Sequence, residues 1–247
     1  MELNEIIKTF NGREVKLTKK IEILLSLQKE FGLQFQTYDD ILEKLKEKNE
    51  TAKIMKDFIY KKIKDYLIEC RNCSLCFAEC HTQKVAGDGN FSSPIVLIGE
   101  GPGEEEDKLG KPFVGRAGQL LNTLLSKFNV DRNRIYITNV VKCRPPKNRT
   151  PYVNEVKACS EILNLELEFI SPKVIITLGS TPLKFFRPEQ SITKMRGIWI
   201  KEKNYWIMPT YHPAYILRQR GERLETTKKE IYSDFKNAFL KLKELLN

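Results

Sequence analysis

Histidine and tryptophan are scarce in this chain, two of each in 247 residues. Only His81 and His212 are present, so attention for metal binding turns to the clustered cysteines. Long apolar runs are also missing. "IVLIG" and "VIITLG" are far shorter than the roughly 20 residues that a membrane span needs, so no membrane partner is expected. The opening "MELNEIIKTF" carries acids and no apolar h-region, so no secretory signal is expected and the default location is cytoplasmic. Repeats and low-complexity tracts are absent, which excludes solenoid architectures. There is no acidic excess either, since the formal net charge is +10 and the pI about 9.2.

What is present suits a globular chain, 41% hydrophobic and 30% charged, long enough for one good core and a small second unit. The basic balance suggests a polyanionic partner, although a generic basic surface gives the same sum. Residues 1–66 hold 14 Lys and Arg against 12 Asp and Glu, so most of the surplus lies downstream.

Residues 1–66 read as a helical extension. "IEILLSLQKEF", "YDDILEKLKEK" and "AKIMKDFIYKKIKDYLI" place apolar residues at three- and four-residue spacing without Pro. From residue 85 the pattern changes to short apolar runs at 94–99, 134–138, 173–179 and 205–210, with helical patterns at 115–128, 153–170 and the C-terminus. Strand–helix alternation with continuous apolar strands predicts a mostly parallel sheet covered on both faces. Ligands of such sheets bind at the carboxyl ends of the strands, where the loops 99–114, 139–151 and 210–218 converge.

Those loops carry the chemistry. "GEGPGEEEDKLGKPFVG" (99–115) is a Gly-rich loop, yet four consecutive acids, Glu104 to Asp107, would repel a phosphate. "NVVKCRPPKNR" (139–149) brings Lys142, Arg144, Lys147 and Arg149 to a strand exit, a pattern suited to phosphate contact. "YHPAYILRQRGER" (211–223) delivers His212 on a Pro-fixed backbone, followed by an apolar wedge between arginines. Six cysteines complete the set. Cys70, Cys73, Cys76 and Cys80 fall within eleven residues, with Cys143 and Cys159 distant. In a reducing compartment this clustering favours a metal over disulfides. Cys70/Cys73 and Cys73/Cys76 are both C-x-x-C pairs, Cys159 also fits a helical core stripe with Val156, Leu163 and Leu167, and zinc and iron–sulfur suit four thiolates equally by count.

Taken in order, "CRNCSL", "GEGPGEEEDKLGKPFVGRAGQLLN", "YITNVVKCRPPKNR", "SITKMRGIW" and "YHPAYILR" resemble the family 4 uracil-DNA glycosylases, the iron–sulfur class of thermophiles and archaea. The resemblance covers roughly residues 67–218 and the final helix. It implies a three-layer α/β/α fold with a four-stranded, mostly parallel sheet, so that residues 67–247 form the glycosylase domain behind the 1–66 extension. It implies a [4Fe–4S] cluster, rather than zinc, on Cys70, Cys73, Cys143 and Cys159, with no metal needed for hydrolysis. Leu75 fits the family's C-x-x-C-x-L and disfavours Cys73/Cys76 as the pair, while Cys76 and Cys80 are additional thiols. The Gly loop then encloses a flipped uracil: Gly101 and Gly103 approach it, Phe113 stacks on it, Asn139 pairs with its edge, and Glu106 excludes the thymine methyl. His212 donates to O2, and Glu100, with Asn148, orients the water. Lys142, Arg144, Lys147, Arg149, Tyr215, Leu217 and Arg218 are expected to contact DNA, single- or double-stranded. A monomer is expected, with residues 1–66 open to a protein partner. Two rival readings are a non-catalytic iron–sulfur DNA-binding protein and a glycosylase for another base such as hypoxanthine.

Overall fold

The computed structural model describes residues 14–32, 38–47, 50–202 and 204–247; the remaining parts of the expected 1–66 extension lie outside the described residues. The chain divides into two compact units, Met1–Lys62 and Ile63–Asn247. In the first unit lie α1 (Glu14–Phe31), α2 (Tyr38–Lys46) and the start of α3 (Glu50–Glu69), which runs on into the second. Each helix buries a stripe at helical spacing: Ile23 and Leu27, Ile41 and Leu45, then Ala52, Met55 and Ile59. No helix among the described residues is long and apolar enough to cross a membrane.

The second unit is built on one sheet. Its strands are β1 (Asp88–Gly89), β2 (Ile95–Gly99), β3 (Tyr136–Asn139), β4 (Val174–Leu178), β5 (Ile200–Lys201) and β6 (Trp206–Thr210), in the order β1-β3-β2-β4-β6-β5. The four inner strands are parallel and correspond to the four apolar runs of the sequence. The two outer ones are two-residue antiparallel strands that enlarge the expected four-stranded sheet to six, and they are too short to leave a periodic signal.

Alternation along the strands explains the three layers. Leu97, Ile137, Ile176 and Met208 face one way, into a core with Leu121 and Leu125 of α5 (Arg116–Ser126) and Ile231, Phe235 and Ala238 of the C-terminal helix. The opposite face is covered by α6 (Val153–Ile170), whose Glu166 reaches the sheet, and the short α7 (Ser180–Phe186) packs beside it. The remaining helices are α4 (Glu104–Leu109), α8 (Ile192–Met195), α9 (Pro213–Leu217) and α10 (Gly221–Leu246).

Lys142, expected on the DNA surface, is instead fully buried beneath it. Its Nζ donates to Glu166 Oε2 at 2.7 Å and to Thr138 Oγ1 at 2.5 Å. Glu166 also accepts from the Tyr136 hydroxyl at 3.0 Å and the Thr138 hydroxyl at 2.9 Å, so the pair staples β3 to α6. A charge sealed in this way cannot reach a phosphate. Removing one partner leaves the other buried and unpaired, which costs about 3–5 kcal/mol, whereas replacing both with apolar residues of similar volume is far milder. Urea unfolding should therefore rank Lys142→Met as much less stable than wild type, with Lys142→Met/Glu166→Leu recovering most of the loss.

Candidate active site

The parallel strands end at one edge, and there the loops enclose a cleft of about 610 Å³. Its floor is set by the register of β2 and β3, which makes Gly99 and Asn139 Cα partners. A Cβ at position 99 would stand 2.4 Å from Asn139 Oδ1 and 2.5 Å from the Phe113 ring, so only glycine leaves both side chains where they are. Asn139 is 2% exposed and its Oδ1 has no hydrogen-bond partner. An unpaired buried acceptor costs about 1–3 kcal/mol, and a ligand N–H would recover it.

Phe113 is held in a left-handed conformation, φ 53°, unusual for a bulky residue. Arg132 enforces it by donating to the carbonyls of Pro112 and Phe113, the latter at 3.0 Å, while Gly118 gives the Phe113 carbonyl room that a side chain would fill. The Phe113 ring stacks on His212 with centroids 5.5 Å apart and planes 28° from parallel.

His212 caps α9. Its Nδ1 accepts the Ala214 amide at 3.1 Å, so the ring proton of the neutral form resides on Nε2. Burial, with Arg218 adding to it, brings its pKa down from the ordinary 6.5 to about 4. The side chain is therefore a neutral Nε2–H donor throughout the physiological range. Glu100 accepts a hydrogen bond from Thr181, which α7 supplies. Thr181 and its neighbours Gly179 and Ser180 line the cleft but were missed from sequence, because a Gly-Ser-Thr strand exit looks like any helix start.

The four acids belong to one helix start, and three of them have defined partners. They occupy the first turn of α4, within a segment read as loop, where carboxylates suit the free amides of a helix N-terminus. Glu106 accepts from the amides of Gly103, Val114 and Gly115 at 3.1, 2.9 and 2.8 Å, clamping both ends of the Gly loop. Asp107 is buried and accepts from the amides of Thr82 and Gln83, with His81 Nδ1 at 3.3 Å. Glu104 pairs with Lys108 and Arg144. Hydrogen bonds hold the Asp107 carboxyl below the usual carboxylate range, although burial works against them.

Of the expected site residues, Glu100, Gly101, Gly103, Glu106, Phe113, Asn139, Asn148 and His212 all line the cleft, as do Arg149, Tyr215 and Arg218. The basic residues divide differently from the expectation. Arg149 is committed to Glu155 in a two-pronged ion pair at 2.7 and 2.8 Å and stacks on Tyr152, so it braces the loop. Arg144 is largely enclosed and joins Glu104 to the Asn148 amide oxygen. Lys147 and Arg218 are exposed, and Leu217 is half-buried at the end of α9 outside the cleft lining. Lys147 and Asn148 are both left-handed, φ 54° and 53°, a strained pair of the sort that collects at functional loops.

Five thiols, Cys70, Cys73, Cys76, Cys143 and Cys159, line a second, much smaller cavity beside α6. Burial and the neighbouring thiols push the Cys143 thiol far up and the Cys159 thiol to about 12. Among the described residues no three His, Cys, Asp or Glu side chains are drawn together around a single ion. The cavity gathers thiols from the 70–76 segment, the exit of β3 and α6, the candidate ligands for a metal centre.

A family profile described as the uracil DNA glycosylase superfamily matches residues 86–236. The chain belongs to that superfamily. Three relatives named type-4 uracil-DNA glycosylase agree. The one from Thermotoga maritima is 49% identical over 160 residues, 62% of this chain and 82% of the relative. That from Sulfurisphaera tokodaii is 42% identical, with 74% and 83% covered, and that from Archaeoglobus fulgidus 39%, with 69% and 86%. The matched uracil DNA glycosylase region contains every residue of the cleft floor.

A lowered His212 pKa carries a sign. The unfolded chain takes up a proton near pH 6.5 that the folded chain takes up only near 4. Stability from neutral His212 is therefore complete above about 6.5 and is lost as pH falls towards 4. Imidazole NMR should place the His212 midpoint near 4 with the Nε2–H tautomer; a midpoint at the ordinary value would remove the neutral donor.

Proposed function

We propose that this chain removes uracil from DNA by hydrolysing its N-glycosidic bond, leaving an abasic site. The unpartnered Asn139 Oδ1 on the cleft floor carries the reading. Uracil presents N3–H to that acceptor and O4 to the amide NH₂, whereas cytosine presents the reverse pattern and would leave groups unpaired. The target nucleotide leaves the stack to reach a cleft of this depth, and Phe113 offers its face to the base.

As the C1′–N1 bond breaks, its electron pair passes to the base and negative charge gathers on O2. The neutral Nε2–H of His212 donates to that oxygen, and because the ring is fixed by the Ala214 amide little reorganisation is required. Glu100, steadied by Thr181, faces the sugar: its carboxylate offsets the developing positive charge and takes the proton of the water that adds to C1′. Asn148 lies at the cleft edge, where its amide helps to place that water. Exposed Lys147 and Arg218 are suited to the phosphates on either side, with Tyr215 at the rim.

Cys70, Cys73, Cys143 and Cys159 are the family's ligand positions for a [4Fe–4S] cluster, and all four line the small cavity. When bound, such a cluster ties the Cys loop to β3 and α6, since hydrolysis itself transfers no electrons. Glu155 supports the same join by accepting from Ser74, Arg149 and the Tyr152 amide.

On an oligonucleotide with one uracil, alkali-sensitive breaks should appear only at that base, with thymine and hypoxanthine controls intact. His212→Ala should lower the single-turnover rate by about 10²–10³ with binding retained. An unchanged rate in His212→Ala, or breaks at hypoxanthine, would contradict the assignment.

A further inference from the structure

The cluster cradle contains one thiol more than a four-ligand cluster needs. Cys76, an added cysteine beside the C-x-x-C-x-L pattern, lines the same cavity as Cys70, Cys73, Cys143 and Cys159. Its Sγ lies 3.9 Å from Cys143 Sγ. The short 3-10 turn Ser74–Phe77 brings it there: Cys73 caps the turn, the Cys76 amide donates to the Cys73 carbonyl at 3.2 Å, and buried Leu75 anchors the turn. Cys73 and Cys76 are thus neighbours on one short turn, both half-buried and both lining the cavity that Cys143 lines. Cys80, the other added thiol, is engaged elsewhere, donating to the Arg144 carbonyl at 3.7 Å.

We infer that Cys73 and Cys76 are interchangeable ligands for one iron of the cluster, with Cys70, Cys143 and Cys159 fixed. Exchange requires only that one thiolate leaves an iron as the other, losing its proton to solvent, takes the vacated position; the proton is returned to the departing thiolate, and no oxidant or reductant is involved. The opposing contacts of the turn explain why neither thiol has sole claim. Cys73 caps the turn at its start, while Cys76, within the turn, approaches Cys143 Sγ to 3.9 Å.

The test is iron and acid-labile sulfide in the full chain purified anaerobically, together with the visible absorbance of the cluster. Cys73→Ser and Cys76→Ser should each keep wild-type iron and sulfide, and Cys73→Ser/Cys76→Ser should lose both. Loss in Cys73→Ser alone, or retention in the double variant, overturns the inference. The wild-type chain gives a second reading that does not depend on a variant's folding. Native alkylation with iodoacetamide, followed by peptide mass spectrometry, should divide label between Cys73 and Cys76 and spare Cys70, Cys143 and Cys159. Complete protection of Cys73 with all label on Cys76 overturns it. The inference rests on the cluster reading above, and wild-type protein holding zinc, or no iron and sulfide, overturns both while leaving the uracil assignment to be judged by base release.

Discussion

The close approach of Gly99 to Asn139 and Phe113 is the constraint on which the cleft depends. Parallel pairing of β2 and β3 fixes the two backbones, and the missing Cβ lets an amide and an aromatic ring share the space above them. The same edge of the sheet supplies Glu100 directly after Gly99, Thr181 after β4 and His212 after β6. Three loops that are distant in sequence are thus held to a common floor by strand register. In open α/β sheets the carboxyl edge is where such convergence occurs, and here it assembles an acceptor, a donor, a carboxylate and a stacking face within one cleft.

Carboxylates, three of them buried, then lock the loops. Glu106 gathers three amides of the Gly loop, Asp107 holds the 81–83 segment, Glu155 joins the Cys turn to the basic loop, and Glu166 ties Lys142 and the β3 hydroxyls to α6. Asp107, Glu155 and Glu166 are charges that water no longer solvates, so each demands several donors in a defined arrangement, and half-buried Glu106 is held in the same way by loop amides. This resolves the conflict between a basic chain and an acidic Gly loop. The acids serve the protein's own amides and cations, and the glycines, Phe113 and Asn139 are left to face the cleft.

The sequence was most informative where a physical period or a spacing existed. The four inner strands and α6 stood out because continuous apolar runs and a helical stripe are forced by burial on both faces of a sheet. The cleft residues stood out as motif blocks at strand exits. Burial of a long polar side chain was not visible: Lys142 sits in a basic run, and only its depth beneath β3 reveals that it pairs with Glu166, 24 positions away. The partner of Arg149 was hidden for a similar reason, since Glu155 lies on the next helix and looks like a solvent-facing residue. The α4 helix was lost because six residues give too short a pattern, and the edge strands because two residues give none. Thr181 had no distinguishing neighbourhood in the chain at all.

In the proposed function Asn139 reads a base edge through its unpartnered Oδ1. Calorimetric titration of the full chain with free uracil, cytosine and thymine tests that directly. Uracil should bind, cytosine should not, and Asn139→Ala should abolish uracil binding while the chain stays folded. Equal binding of uracil and cytosine, or undiminished uracil binding in Asn139→Ala, would contradict it.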